Sequence, residues 1–177
     1  TSDKPRIGWA GGTAHLGDLL LIEDVVKATA QEADWVFMGM CPDSIRPYVK
    51  EFHEFSTFQQ YPARLAGLNL DLAVAPLEQI PFNQGKSNLR LLEYGALGLP
   101  VICTDIDPYR DSPACRLAND PQRWIEALRA RIHDLDAAEK EGQRLRDWVL
   151  EHYMLEDHLD EWLDAHISPD KARERRN

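Results

Sequence analysis

The apolar positions of this chain follow two rhythms. Short uninterrupted apolar runs alternate with stretches in which apolar residues recur every three or four positions. Arg6-Ile7-Gly8-Trp9-Ala10 reads as a first strand, and Trp35-Val36-Phe37-Met38-Gly39-Met40 as a second, too apolar to face water on either side. Glu54-Phe55-Ser56-Thr57-Phe58 predicts a third strand, Asp71-Leu72-Ala73-Val74-Ala75 a fourth, and Leu99-Pro100-Val101-Ile102-Cys103-Thr104 a fifth. Between them the spacing predicts a helix over 16–31, a short one over 62–68, and another from Leu89 with Leu89, Leu92, Ala96 and Leu97 as its apolar stripe. Continuous apolar strands separated by helices imply an α/β fold: a Rossmann-like doubly wound parallel sheet with helices on both faces. Residues 121–166 read as a helical C-terminal region, in which Trp124, Trp148 and Trp162 are packing residues. With no repeat, low-complexity tract or Gly/Ser linker, residues 1–177 read as a single domain.

Composition narrows the partners. The length of 177 residues supports one sizeable core, and the net charge of −10 argues against nucleic acid, which clustered Lys and Arg would bind. The basic run Lys171-Ala172-Arg173-Glu174-Arg175-Arg176 is short, and 168–177 reads as a disordered, solvated tail, with a membrane-surface contact as the alternative. No apolar run approaches the ~20 residues that a membrane span requires. Thr1-Ser2 at the start suggests a domain cut from a longer chain. Cys41, Cys103 and Cys115, an odd number without metal-ligand spacing, read as free thiols in a reducing, cytoplasmic compartment, Cys103 being buried on a strand. His152, His158 and His166 read as surface residues, and no metal ligand set is expected.

Candidate chemistry gathers in loops at the carboxyl edge of the strands, where parallel sheets bind ligands. Gly11-Gly12-Thr13-Ala14-His15 follows the first strand, and two adjacent glycines allow close backbone approach and an anion nest, or simply a tight turn. The spacing is neither a dinucleotide fingerprint nor a P-loop. Phe58-Gln59-Gln60-Tyr61-Pro62 offers aromatics that suit a base, or a turn with Pro62 opening a helix. Asn83-Gln84-Gly85-Lys86-Ser87-Asn88 leads into the third helix, with Ser87 as N-cap and Lys86 beside the helix start, an arrangement suited to phosphate. Glu93, two turns into a helix otherwise short of acidic residues, is placed to hold the hydroxyls of an attached sugar, or is a solvated side chain.

At this point the chain resembles a known family. Lys86-Ser87, followed by Leu92-Glu93-Tyr94-Gly95-Ala96-Leu97-Gly98-Leu99-Pro100-Val101-Ile102, is similar to the donor-site signature of retaining GT-B glycosyltransferases (group 1, family 4). Ile7 through His15, with Asp18 beyond, resembles their first strand and loop, and Tyr61-Pro62-Ala63-Arg64-Leu65-Ala66 and Leu72 through Leu77 fall in the order that the family shows. The resemblance covers about residues 4–165, the C-terminal, donor-binding half of a two-domain enzyme.

The resemblance implies a nucleotide-diphosphate sugar as donor, hexosyl-type transfer in polysaccharide or other glycan synthesis, no cofactor or metal, and acceptor recognition by an absent N-terminal domain. It also implies cytoplasmic location, with a peripheral membrane contact of the full-length enzyme. Glu93 matches the second glutamate of the family's Glu-x7-Glu motif, which binds the donor ribose, while the first falls at Gly85. Gly11, Gly12 and Thr13 match the loop beside the phosphates, and Ser87 and Asn88 the opposing helix start. Phe58 is the candidate base contact. Lys86 and Glu93 are the residues expected to carry transfer, Lys86 by neutralising the leaving diphosphate and Glu93 by orienting the donor. The isolated chain is expected to be inactive in transfer. A non-catalytic binding module and a nucleotide-sugar epimerase of the same fold are the competing readings; a phosphorylase would need a pyridoxal lysine.

Overall fold

The computed structural model describes residues 4–160. In chain order the elements are β1 (Arg6–Ala10), α1 (Leu16–Leu20), α2 (Glu23–Thr29), β2 (Asp34–Met38), β3 (Glu51–His53), α3 (Tyr61–Gly67), β4 (Leu72–Ala75), α4 (Pro81–Gln84), α5 (Leu89–Ala96), β5 (Val101–Thr104), β6 (Cys115–Leu117), α6 (Pro121–Ile132) and α7 (Leu135–His152). The six strands form one sheet in the order β3-β2-β1-β4-β5-β6, every pairing parallel. Strand order reverses between β1 and β4, which opens a crevice at their carboxyl ends.

Alternation along each strand divides the core in two. Ile7, Trp9, Trp35, Phe37, Leu72, Val74 and Ile102 face one side, where Leu19 of α1, Val25 and Val26 of α2, and Trp124 and Leu128 of α6 cover them. Ala10, Val36, Met38, Ala73, Ala75, Val101 and Cys103 face the other, under Leu65 of α3, Leu91 and Tyr94 of α5, and Leu145 of α7. Both faces of every central strand are therefore dry, which is why these segments are unbroken apolar runs. Burying one such large side chain contributes ~1.5–3 kcal/mol. The polar edge of Trp35 is satisfied within the core, its Nε1–H donating to Thr29 Oγ1 at 3.0 Å.

The sequence expectation for the third strand is displaced. Strand β3 is Glu51–His53, registered as Val36↔Glu51, Phe37↔Phe52 and Met38↔His53, and residues 54–58 form a loop. Phe55 and Phe58 have strand propensity but stack on each other at the sheet edge, ring centroids 6.1 Å apart at 82°. The single helix expected over 16–31 is broken into α1 and α2 at Leu21-Ile22. The short sixth strand and α4 went unanticipated: Cys-Arg-Leu is too short and too polar at Arg116 to register as a strand. The C-terminal region is helical in α6 and α7, capped by Asp120 and Asp134, whose carboxylates accept the N–H groups of Gln122 and Ala137. Trp162, His166 and the tail at 168–177 lie outside the described residues.

The expected stripe on α5 is also turned. Leu91, Tyr94 and Gly95 are the buried positions, while Leu89 is 56% exposed and Ala96 and Leu97 face solvent. The helix is pulled toward α7, which it meets at Gly95: a Cβ there would stand 2.7 Å from Val149 Cγ2. Two turns earlier on α7, a Cβ on Gly142 would strike the Gly98 carbonyl oxygen and stand 2.8 Å from Pro100 N. These two glycines let α7 lie directly on the turn between α5 and β5, fixing where α5 ends.

Candidate functional site

A cleft of about 420 Å³ opens at the carboxyl ends of β1 and β4. Its floor is Trp9, the penultimate residue of β1, which is 1% exposed. One wall is the glycine loop after β1; the opposite wall is the start of α5; Phe55, Phe58 and Tyr61 close one end.

The glycine loop is shaped by packing. A Cβ on Gly11 would lie 2.6 Å from the Trp9 ring and 2.7 Å from Arg90 Nη2, so only glycine fits above this pair. Gly39, at φ +93°, ends β2 directly beneath: its own Cβ would strike Gly11 O. The Gly11 N–H donates to Met38 O at 3.0 Å, and Gly12 is extended (φ −77°, ψ 178°). The anion nest expected from the glycine pair is therefore not formed, because its first N–H is committed to the sheet. Gly12 is open, with nothing within 4 Å of where a Cβ would stand, and lines the cleft. Thr13 starts a short 3-10 turn, is exposed, and stands outside the cleft lining.

Across the cleft, the first backbone bond of α5 is Leu91 N–H to Asn88 O at 2.8 Å. Among the described residues, the N–H groups of Ser87, Asn88, Leu89 and Arg90 have no hydrogen-bond acceptor, so they remain available to an anion. The expected Ser87 cap is replaced: Asn88 occupies the N-cap position without a side-chain capping bond, and its Nδ2 donates to Tyr153 OH at 2.7 Å. That turns the Asn88 side chain away from the cleft, whereas Ser87 and Lys86 line it. Gly85, exposed at the end of α4, has room for a side chain.

Glu93 faces the cleft one turn deeper. Tyr61 OH donates to Glu93 Oε2 at 3.0 Å. Burial pushes the Tyr61 phenol up, so it stays protonated and remains a donor. Tyr61 also stacks on Phe55 at 6.2 Å, which joins the carboxylate to the aromatic wall that includes Phe58, 83% exposed. The structure thus brings Gly11, Gly12, Phe58, Lys86, Ser87 and Glu93 into one cleft, and leaves Thr13 and Asn88 outside it.

Two features were not anticipated. Arg90 lies with its Cζ 5.4 Å from the Trp9 ring centroid and 6.0 Å from that of Tyr94. Burial works against its charge, but Tyr94, Tyr61 and Glu93 outweigh that and raise its pKa. Its Nη1 is buried without a hydrogen-bond partner among the described residues. Tyr94 OH, in turn, accepts the Ala10 N–H at 2.9 Å and ties α5 to the end of β1. The second feature is Asp18, 3% exposed, which accepts at Oδ1 from Glu78 N–H (2.7 Å) and Asn83 Nδ2 (3.1 Å) and has Lys86 Nζ 3.7 Å from Oδ2. Asp18 therefore clasps the β4–α5 connection, and with it Lys86, to α1. Only the chain's tertiary contacts reveal these partners, since Asp18 and Lys86 are far apart in sequence.

Among the described residues no group of three or more His, Cys, Asp or Glu side chains is placed to hold a metal ion, and no helix is long and apolar enough to cross a membrane. The three cysteines are free, Cys103 buried.

No protein-family model and no curated protein sequence matches the chain. Solved structures do match its fold. Anabaena HepE in complex with UDP and glucose superposes with a TM-score of 0.71 at 10% identity, over 92% of this chain and 48% of that one. TarM gives 0.69 at 17%, over 93% and 35%. A glycosyltransferase from Rickettsia africae gives 0.68 at 18%, over 93% and 48%. The chain spans less than half the length of each of these. It has the Rossmann-like α/β fold found in GT-B glycosyltransferases.

Proposed function

We propose that the chain is the donor-binding half of a glycosyltransferase that moves a sugar from a nucleotide-diphosphate sugar to an acceptor. The observation that carries this reading is the single cleft in which unpaired N–H groups and a lysine stand at one end and a half-buried carboxylate and aromatic wall at the other. In this reading the diphosphate lies between Gly12 and the start of α5, where Lys86, Ser87 and the free N–H groups neutralise it. Glu93 accepts from the ribose hydroxyls through the lone pairs that Tyr61 leaves free, and Phe58 borders the base. When the glycosidic bond breaks, negative charge grows on the diphosphate, and donors already aimed at it need no reorganisation. Glu93 orients the donor and takes no part as acid or base.

The fold likeness supports this reading, because HepE was solved with UDP and glucose. Acceptor recognition then belongs to a second, N-terminal domain, in a cytoplasmic enzyme that contacts the membrane peripherally. Gly85, in place of a carboxylate, favours one other reading: a non-catalytic module that binds a nucleotide.

Calorimetric titration with UDP tests the proposal. The chain is expected to bind UDP at up to millimolar concentration and Glu93→Ala to bind it more weakly. Failure of the wild-type chain to bind any nucleoside diphosphate at millimolar concentration overturns the reading. Glycosyl transfer by the 177 residues alone would overturn the assignment of acceptor recognition to a second domain.

A further inference from the structure

His15 lines the same cleft as Gly12 and Lys86, and has no part in the proposed function. Its Nδ1 lies 2.7 Å from Asp18 Oδ2. Burial opposes ionisation of Asp18, but the His15 hydrogen bond, the Glu78 N–H and the charge of Lys86 outweigh it and hold the carboxyl below its ordinary value. An ionised carboxylate only accepts, so Nδ1 carries the hydrogen and the ring's tautomer is fixed. Nε2 is the atom left over, and it makes no hydrogen bond among the described residues. The ring is held edge-on to Trp9, centroids 5.6 Å apart at 69°, and its side chain is 20% exposed.

A histidine held at one nitrogen by a buried carboxylate, with the other nitrogen at a cleft, is a proton-carrying group kept in one orientation. We infer that His15 contacts the terminal phosphate of the bound diphosphate through Nε2, as an imidazolium positioned by Asp18 beside Lys86, whose Nζ lies 3.7 Å from the same Asp18 oxygen. The inference rests on the diphosphate placement proposed above and adds the residue that answers the charge of the leaving group from the glycine-loop side. It also gives that loop a means of binding phosphate, since the Gly11 N–H is committed to Met38 O. The charged groups around the ring are Asp18 on α1, Glu78 after β4, Lys86 before α5, and Arg90 on α5 beyond Trp9. With Nδ1–H committed to Asp18, Nε2 can donate to a phosphate oxygen only when the ring carries both hydrogens. Phosphate binding is therefore coupled to protonation of His15.

The test is calorimetry on the full 177-residue chain with inorganic pyrophosphate, UDP and uridine, each in two buffers of different ionisation enthalpy at a pH slightly above 7. Wild type is expected to take up protons on binding pyrophosphate or UDP and none on binding uridine. His15→Gln is expected to weaken pyrophosphate and UDP about tenfold, as loss of one charge-assisted hydrogen bond would. It should also abolish the uptake and leave uridine unchanged. Nitrogen NMR of wild type should show the Nδ1–H tautomer at high pH, a readout that needs no variant. The inference is overturned by an Nε2–H tautomer, by absent proton uptake, by unchanged pyrophosphate affinity in His15→Gln, or by no pyrophosphate binding to wild type. If pyrophosphate behaves as stated but UDP binds no tighter and ignores Glu93→Ala, the nucleotide reading fails while the role of His15 as a phosphate contact stands.

Discussion

Replacing Tyr61 with phenylalanine isolates the part of the cleft that does not depend on phosphate. The substitution removes one hydroxyl, the one that donates to Glu93 Oε2 at 3.0 Å, and keeps the ring that stacks on Phe55. Glu93 is half-buried, so water replaces much of the lost bond in the free protein and stability should fall by no more than ~0.5–1.5 kcal/mol. Binding is affected differently. Without Tyr61 the carboxylate must be ordered when the ribose arrives, at a cost of ~0.5–1.5 kcal/mol, which weakens Kd roughly 2- to 12-fold. The assay is calorimetry with UDP and with 2′,3′-dideoxy-UDP, which has the same base and diphosphate but no diol. Tyr61→Phe should weaken UDP by that factor and leave the dideoxy compound within experimental error of wild type. An equal loss on both ligands, or on neither, would refute the view that Tyr61 positions Glu93 for a diol.

Two further outcomes probe the scaffold. Gly142→Ala should destabilise the chain by ~1–3 kcal/mol, because the new methyl meets the Gly98 carbonyl and Pro100 N rather than a side chain that could yield. Gly67→Ala, at the end of α3 with nothing within 4 Å, should instead stabilise by up to ~1 kcal/mol, and thermal melts of the pair should therefore shift in opposite directions. The Arg6 guanidinium, hydrogen-bonded to Glu51 at 2.7 Å, pushes that carboxyl down to about 2 from 4.5. A lowered folded pKa contributes stability above 4.5 that is lost as pH falls through about 2. Glu51→Gln should accordingly melt less pH-dependently than wild type between those values, by a modest amount since Glu51 is partly exposed; an identical slope would show that the Arg6–Glu51 pair does not contribute to stability.

The central strands were legible because burial on both faces leaves a continuous apolar run, as at Trp35-Val36-Phe37-Met38. Strand β3 was misplaced for a related reason: Phe55 and Phe58 look like strand residues, yet their rings serve the cleft wall, while the true edge strand contains Glu51 and His53. On α5 the stripe was misjudged because Tyr94 and Gly95, rather than the leucines, are what the sheet and α7 accept. Residues held by local chain direction, such as Gly12, Lys86, Ser87 and Glu93, were readable from the loop-helix-strand order. The partners that set their chemistry were not. Arg90 gains its setting from Trp9, Asp18 from Asn83 and Lys86, and Glu93 from Tyr61, and these are meetings of distant segments that no local spacing encodes. The glycine pair was the reverse case, a local motif whose nest was lost to a tertiary hydrogen bond.

A crystal structure of the chain with UDP bound tests the assignment of this cleft most directly. The diphosphate should lie between Gly12 and Ser87 within reach of Lys86, the ribose hydroxyls should donate to Glu93, and the base should border Phe58. A cleft that stays empty at saturating UDP, or a ribose that lies away from Glu93, would contradict it.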